Sequence, residues 1–169
     1  GEWVDKYPES VKALHDAGHE VMNHSDDHAH MTQLSKEEII ADVEACNDKI
    51  EAVTGVRPTL IRPPYGEYDD NVITAIRSIG MEPIQWDVDS LDWKDLSAQE
   101  ITKRVTSKVQ AGSIVLFHNA ALHTPEALPT ILETLLQEGY TFVPISQLIL
   151  PGTYNTDYTI DHTGRQMAA

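Results

Sequence analysis

Only one cysteine, Cys46, occurs in the chain, and that excludes an internal disulfide. It falls in the helically spaced series Ile39, Ile40, Val43, Cys46, Ile50, Val53, so it reads as a small buried hydrophobe. Basic side chains are scarce too: 12 Lys and Arg stand against 27 Asp and Glu, a formal net charge of -15. Phosphate backbones and anionic lipid both demand clustered cations, so this balance argues against nucleic-acid or acidic-membrane binding. A neutral or cationic polymer remains compatible. No apolar run is long enough to cross a membrane. Internal repeats and low-complexity segments are also lacking.

What is present is a globular pattern: 169 residues, 41% hydrophobic, enough for one substantial core. Residues 8–17 predict a helix, with Pro8 in its first turn and Gly18 as its stop. Residues 19–22 predict a short strand. Ser35 and Glu38 have capping-box spacing and open a helix to about Thr54, closed by Gly55. Strand 59–61, helix 68–79 with Gly80 as its stop, and strand 83–88 follow. Ser97 and Glu100 form a second capping box, for a helix to about Gln110. The apolar run 113–117 predicts a strand buried on both faces. Thr124-Pro125 opens a helix through Gln137, Gly139 stops it, and 141–145 predicts the last strand. Beyond Pro151-Gly152 the chain is polar and aperiodic, which predicts a tail or linker. Repeated β-α units of this kind imply α/β architecture with a parallel sheet and about five strands, few for a closed barrel.

The residues with chemical potential follow the predicted strands. His24 and His28 follow the first, Arg62 the second, Asp89, Asp92 and Trp93 the third, and His118 the fourth. In barrels of parallel strands such positions converge on one face, where active sites form. His24 and His28, four apart in a tight segment, can aim at one cation of the zinc type, or can be surface residues. Two imidazoles leave a catalytic zinc site short of a ligand, and a carboxylate is the expected third. Arg62-Pro63-Pro64-Tyr65-Gly66 is stiffened by its prolines; it reads as a loop that fixes an Arg and a backbone N–H, or as a plain tight turn. The segment 89–93 reads as paired carboxylates beside an aromatic, or as an Asx turn with Trp93 in the core. His118 reads as an acid–base group or as a satisfied core histidine. His15, His19 and His162 read as surface residues, His30 and His123 as neighbours of the site.

Taken together, His24-Ser25-Asp26-Asp27-His28, Arg62-Pro63-Pro64-Tyr65-Gly66, Asp89-Ser90-Leu91-Asp92-Trp93 and Leu116-Phe117-His118 resemble four ordered motifs of the polysaccharide deacetylase family, also called carbohydrate esterase family 4 or the NodB homology domain. The resemblance covers about residues 1–148 and leaves 149–169 as a C-terminal tail or linker. It implies a distorted (β/α) barrel of about seven parallel strands, of which this chain supplies the C-terminal five or so. It also implies roles. His24 and His28 match metal ligands, and Arg62 matches the arginine that orients the catalytic base. Tyr65 matches the residue whose amide stabilises the oxyanion. Asp92 matches the carboxylate that tunes the acid histidine, His118 that general acid, and Trp93 and Leu116 the apolar walls around the acetyl methyl. The implied cofactor is one divalent metal ion, zinc first, with cobalt or nickel as alternatives.

The implied reaction is hydrolytic deacetylation of N-acetylglucosamine in a cell-wall glycan, peptidoglycan first and chitin oligomers next. Metal-bound water attacks the acetamide, and His118 protonates the leaving amine. An extracellular or cell-wall-associated bacterial location goes with it. The family's first motif, an Asp-Asp pair supplying base and third ligand, is not found, and roughly 40 to 50 residues are expected to precede Gly1, from the β-α units of a seven-stranded member. The expected partners are therefore the glycan and an N-terminal fragment carrying that pair, or else Asp26 or Asp27 closes the site. A glycan-binding or structural module without activity, an acetylxylan esterase and a cyclic-amide hydrolase are the competing expectations.

Overall fold

The computed structural model describes residues 1–149, 158–160 and 166–168. The chain divides into two compact units, Gly1–Gln85 and Trp86–Ala169.

In the first unit, the short helix α1 (Glu2–Lys6) precedes α2 (Pro8–Asp16), whose first turn holds Pro8 and whose exit is the positive-φ Gly18. The long helix α3 (Lys36–Thr54) starts at a complete capping box between Ser35 and Glu38 and ends on Gly55 at φ 75°. That conformation carries no Cβ penalty in glycine. Two stripes of α3 are buried. Ile39 and Val43 join Met31, Ile61, Val72, Ala75, Ile76 and Met81, while Cys46 and Ile50 join Val4 and Val11. Cys46 is thus the buried hydrophobe its spacing predicts, and desolvation raises its thiol pKa. Helix α4 (Asp70–Ser78), capped by the Asp69 side chain, starts two residues later than its predicted bound. Strands β1 (Leu60–Ile61) and β2 (Glu82–Pro83) pair in parallel. Pro83 is tolerated because the ladder bonds come from its neighbours, Glu82 N–H to Thr59 O and Ile84 N–H to Ile61 O.

In the second unit, β3 (Val88–Asp89) and β4 (Val115–Leu116) form another parallel pair. Helices α5 (Ala98–Thr106) and α6 (Thr124–Gln137) bury Ile101, Val105, Ala127, Ile131 and Leu135 against Val88. A capping box at Ser97 and Glu100 opens α5, as predicted, but the helix stops at Thr106 rather than near Gln110. Helix α7 (Ile145–Leu148) follows.

Several predicted strands change. Residues 19–22 form none; the chain is extended enough to pair only at Asn23, as a single parallel bridge to Ile61. The predicted strand 83–88 is two strands, because the chain exchanges one partner (β1) for another (β4) between them. Residues 141–145 have no strand partner among the described residues, and α7 begins at Ile145. Among the described residues the parallel strands therefore form two separate pairs and not one five-stranded sheet. In the segment expected to be a tail, β5 (Tyr158–Ile160) pairs antiparallel with β6 (Gln166–Ala168). The rest of 150–169, including His162, lies outside the described residues.

Candidate active site

Within Gly1–Gln85, the strand-end register sets the site. Asn23 donates its N–H to Leu60 O, and Arg62 donates its own to Asn23 O, so the segments before His24 and after Ile61 run side by side. Asn23 is buried, and its amide bonds Val43 O, Asn47 Oδ1 and the Ser25 N–H. His24 Nδ1 lies 2.5 Å from Arg62 O. A carbonyl can only accept, so Nδ1 carries the proton and Nε2 keeps its lone pair. Fixing a tautomer through a backbone carbonyl is how metal-ligating histidines are usually oriented. Desolvation, opposed by that carbonyl bond and aided by the nearby His28 and Arg62 charges, lowers the His24 pKa. That favours the neutral, ligating ring.

The His24 and His28 rings meet edge-on, centroids 5.0 Å apart. Two imidazole donors from one turn suit a divalent cation. Among the described residues, however, no cluster of three or more His, Cys, Asp and Glu forms a complete site. Asp26 is engaged by Lys49 at 2.7 Å, and Asp27 accepts the Ala29 N–H. Neither joins the histidines in such a cluster.

Tyr65 sits at φ 60° in a helical turn (Pro64–Gly66) imposed by the prolines, and Gln85 donates to Gly66 O at 2.6 Å. Its exposed ring meets the edge of His28 (4.6 Å) and stacks on His30 (4.0 Å), which pairs with Glu67 at 2.9 Å. Arg62 is half-buried, and burial lowers its pKa.

Within Trp86–Ala169, Asp92 is 1% exposed and fully bonded. Oδ2 accepts the His118 N–H at 2.9 Å and the Thr124 hydroxyl at 2.7 Å, while Oδ1 lies 2.8 Å from His118 Nδ1. Burial pushes the Asp92 pKa up, but the His118 amide, the Thr124 hydroxyl and the His118 ring together outweigh it and hold the carboxyl below its ordinary range. An ionised carboxylate only accepts, so His118 Nδ1 carries a proton and Nε2 is the ring nitrogen that Asp92 does not engage. The core reading of His118 falls, since its side chain is 39% exposed. The core reading of Trp93 falls likewise: it is 56% exposed, with Lys94 Nζ 4.9 Å above its ring. Leu116 is buried on β4, opposite Asp89. His123 precedes α6, 3.8 Å from Glu126. His19 is exposed and His15 half-buried.

Sequence reasoning missed Asn23, Asp42 and Thr124. Asn23 precedes the histidine motif directly and Thr124 opens a helix, so position gave a signal for both. Asp42 gave none, because its acceptors' role depends on how α3 packs.

The sequence profile of the polysaccharide deacetylase family matches residues 1–84. The chain is 36% identical over 148 residues to the peptidoglycan-N-acetylmuramic acid deacetylase PdaC of Bacillus subtilis, covering 88% of this chain and 31% of PdaC. It is 37% identical over 148 residues to the peptidoglycan-N-acetylglucosamine deacetylase PgdA of Listeria monocytogenes, with the same coverage of 88% and 31%. The chain thus spans about a third of the length of these relatives. A solved structure of PdaC superposes with a TM-score of 0.78 at 38% identity, over 86% of this chain and 70% of that one. A carbohydrate esterase family 4 pseudoenzyme from Bacillus anthracis superposes with a TM-score of 0.84 at 36% identity, over 88% and 52%.

Proposed function

Since the chain belongs to the polysaccharide deacetylase family, we propose that it serves the metal-dependent hydrolysis of N-acetyl groups on N-acetylglucosamine residues of a cell-wall glycan, peptidoglycan before chitin oligomers. The observation that carries this reading is the Asp92–His118 pair. A buried, ionised Asp92 engages Nδ1, which leaves Nε2 as the ring atom that passes a proton to the departing amine nitrogen. An amine leaves poorly without that proton. Trp93 and Leu116 offer apolar surface for an acetyl methyl, and the Tyr65 amide is the oxyanion donor.

His24, whose Nδ1 is taken by Arg62 O, and His28 would hold the divalent ion, zinc first. When bound, such an ion supplies Lewis acidity toward an amide carbonyl. The base and the third ligand come from a segment carrying an Asp-Asp pair, and Arg62 orients that base. Peptidoglycan is the substrate in the names of both PdaC and PgdA, and an extracellular or cell-wall-associated bacterial location is part of this proposal.

A second reading is a glycan-binding module without catalysis. Two observations favour it: no complete metal cluster forms among the described residues, and one solved relative is a pseudoenzyme. Acetate release from N-acetylglucosamine oligomers and from peptidoglycan, by the whole polypeptide with Zn²⁺ added, separates the two. Deacetylation predicts metal-dependent release that falls at least about a hundredfold in His118→Ala, the scale of general-acid loss. Glycan binding with no acetate released, with or without metal, overturns it.

A further inference from the structure

The turn between the two metal-donor histidines is tethered in an unusual way. Ser25 and His28 both adopt positive φ, 72° and 61°. For residues with a side chain this region costs roughly 1 kcal/mol or more and persists only where the surroundings over-determine it. From Ser25 to Ala29 every backbone amide donates to a side-chain oxygen. Ser25 donates to Asn23 Oδ1, Asp26 and Asp27 to the Asp42 carboxylate, His28 to Ser25 Oγ, and Ala29 to Asp27 Oδ1.

Two of those acceptors, Ser25 and Asp27, belong to the turn and tie it to itself, while Asn23 precedes it and is in turn held by Val43 O and Asn47 Oδ1 of α3. Asp42 alone comes from a distant element, from the second turn of α3. Its oxygens lie 3.1 Å from the Asp26 amide and 3.4 Å from that of Asp27. Seven residues along the same helix, Lys49 holds the Asp26 side chain. The buried face of α3 also receives Asn23 Nδ2 at Val43 O.

We propose that Asp42 is the positioning residue of the His24–His28 pair. This rests on the reading that those rings receive a divalent ion. By accepting two consecutive amides midway between the histidines, Asp42 fixes the turn against α3 and keeps both left-handed residues from relaxing. Without it, the Asp26 and Asp27 amides turn to water, the positive φ at either end relaxes, and one imidazole swings relative to the other. Partners that orient metal ligands from behind typically contribute ten- to hundredfold in affinity.

Zn²⁺ titration by calorimetry, on the whole polypeptide with Asp42 intact, Asp42→Ala and Asp42→Asn, tests this. Hydrogen exchange on the same proteins without metal accompanies it. Asp42→Ala is expected to bind Zn²⁺ on the order of ten- to a hundredfold more weakly. Amides 26 and 27 should exchange faster while mid-α3 amides stay protected, which shows the fold intact. Asp42→Asn keeps an acceptor oxygen and removes the charge, so it should recover most of the affinity. Equal affinity in Asp42→Ala overturns the proposal. So does an Asp42→Asn as weak as Asp42→Ala, because charge would then matter and not the clamp. A wild-type protein that takes up no Zn²⁺ overturns it too. If Asp42→Ala does not fold, Asp42→Ser, whose shorter side chain falls short of amides 26 and 27, takes its place, and a Zn²⁺ affinity equal to wild type overturns the proposal. Acetate release is measured on the same samples: a wild type that binds Zn²⁺ yet releases none refutes deacetylation and leaves the Asp42 result standing.

Discussion

Asp92 gathers three donors from two later segments on one buried carboxylate. Truncating it leaves the part-buried His118 amide and Thr124 hydroxyl without their acceptor. Asp92→Ala should therefore lower stability by about 1–2 kcal/mol, the cost of part-buried donors left without an acceptor, measurable by urea unfolding. The pH dependence has a definite sign. Asp92 has a folded pKa below its ordinary value, so its contribution is complete above about pH 4 and is lost as pH falls through the folded pKa. Melting temperatures of wild type and Asp92→Asn should accordingly differ most near neutrality and converge toward pH 3. A gap that stays constant from pH 7 to pH 3 would mean that the carboxylate charge adds nothing.

Helices and strands differ here in how local their causes are. Ser35 and Ser97 each accept the amide three residues on and receive the returning Glu38 or Glu100 carboxylate, so each cap is complete within four residues. Ser35→Ala and Ser97→Ala should each cost about 1 kcal/mol in chemical unfolding, and the glycine versions only a few tenths. The same locality made these helix starts, and the Gly18 and Gly55 stops, legible in the sequence. Strands β1 to β4 are two residues long and exist only through a distant partner. Residues 141–145 have a strand-like sequence, yet 141–143 are exposed and unpaired among the described residues, so β propensity alone produced nothing. The histidine and carboxylate positions of the candidate site stand in the sequence as motifs. Their tethers do not: nothing near residue 42 in sequence shows that its carboxylate meets amides 26 and 27, since that contact is made by the packing of α3.

At the scale of the whole chain, the surplus of acidic residues bears on what the proposed reaction does to its own substrate. N-acetylated glycan is neutral at each acetamide, and deacetylation leaves an ammonium. A chain of formal charge -15 attracts that product more than the substrate, through long-range interactions that salt screens within a Debye length of about 10 Å at 0.1 M. Binding to a partly deacetylated, cationic oligomer should therefore weaken severalfold as salt rises from about 0.05 to 0.5 M, whereas binding to the fully acetylated oligomer should hardly change. Calorimetric titration of the two oligomers into an inactive His118→Ala protein measures both without turnover. Equal salt dependence for the two ligands would show that the net negative charge distinguishes neither.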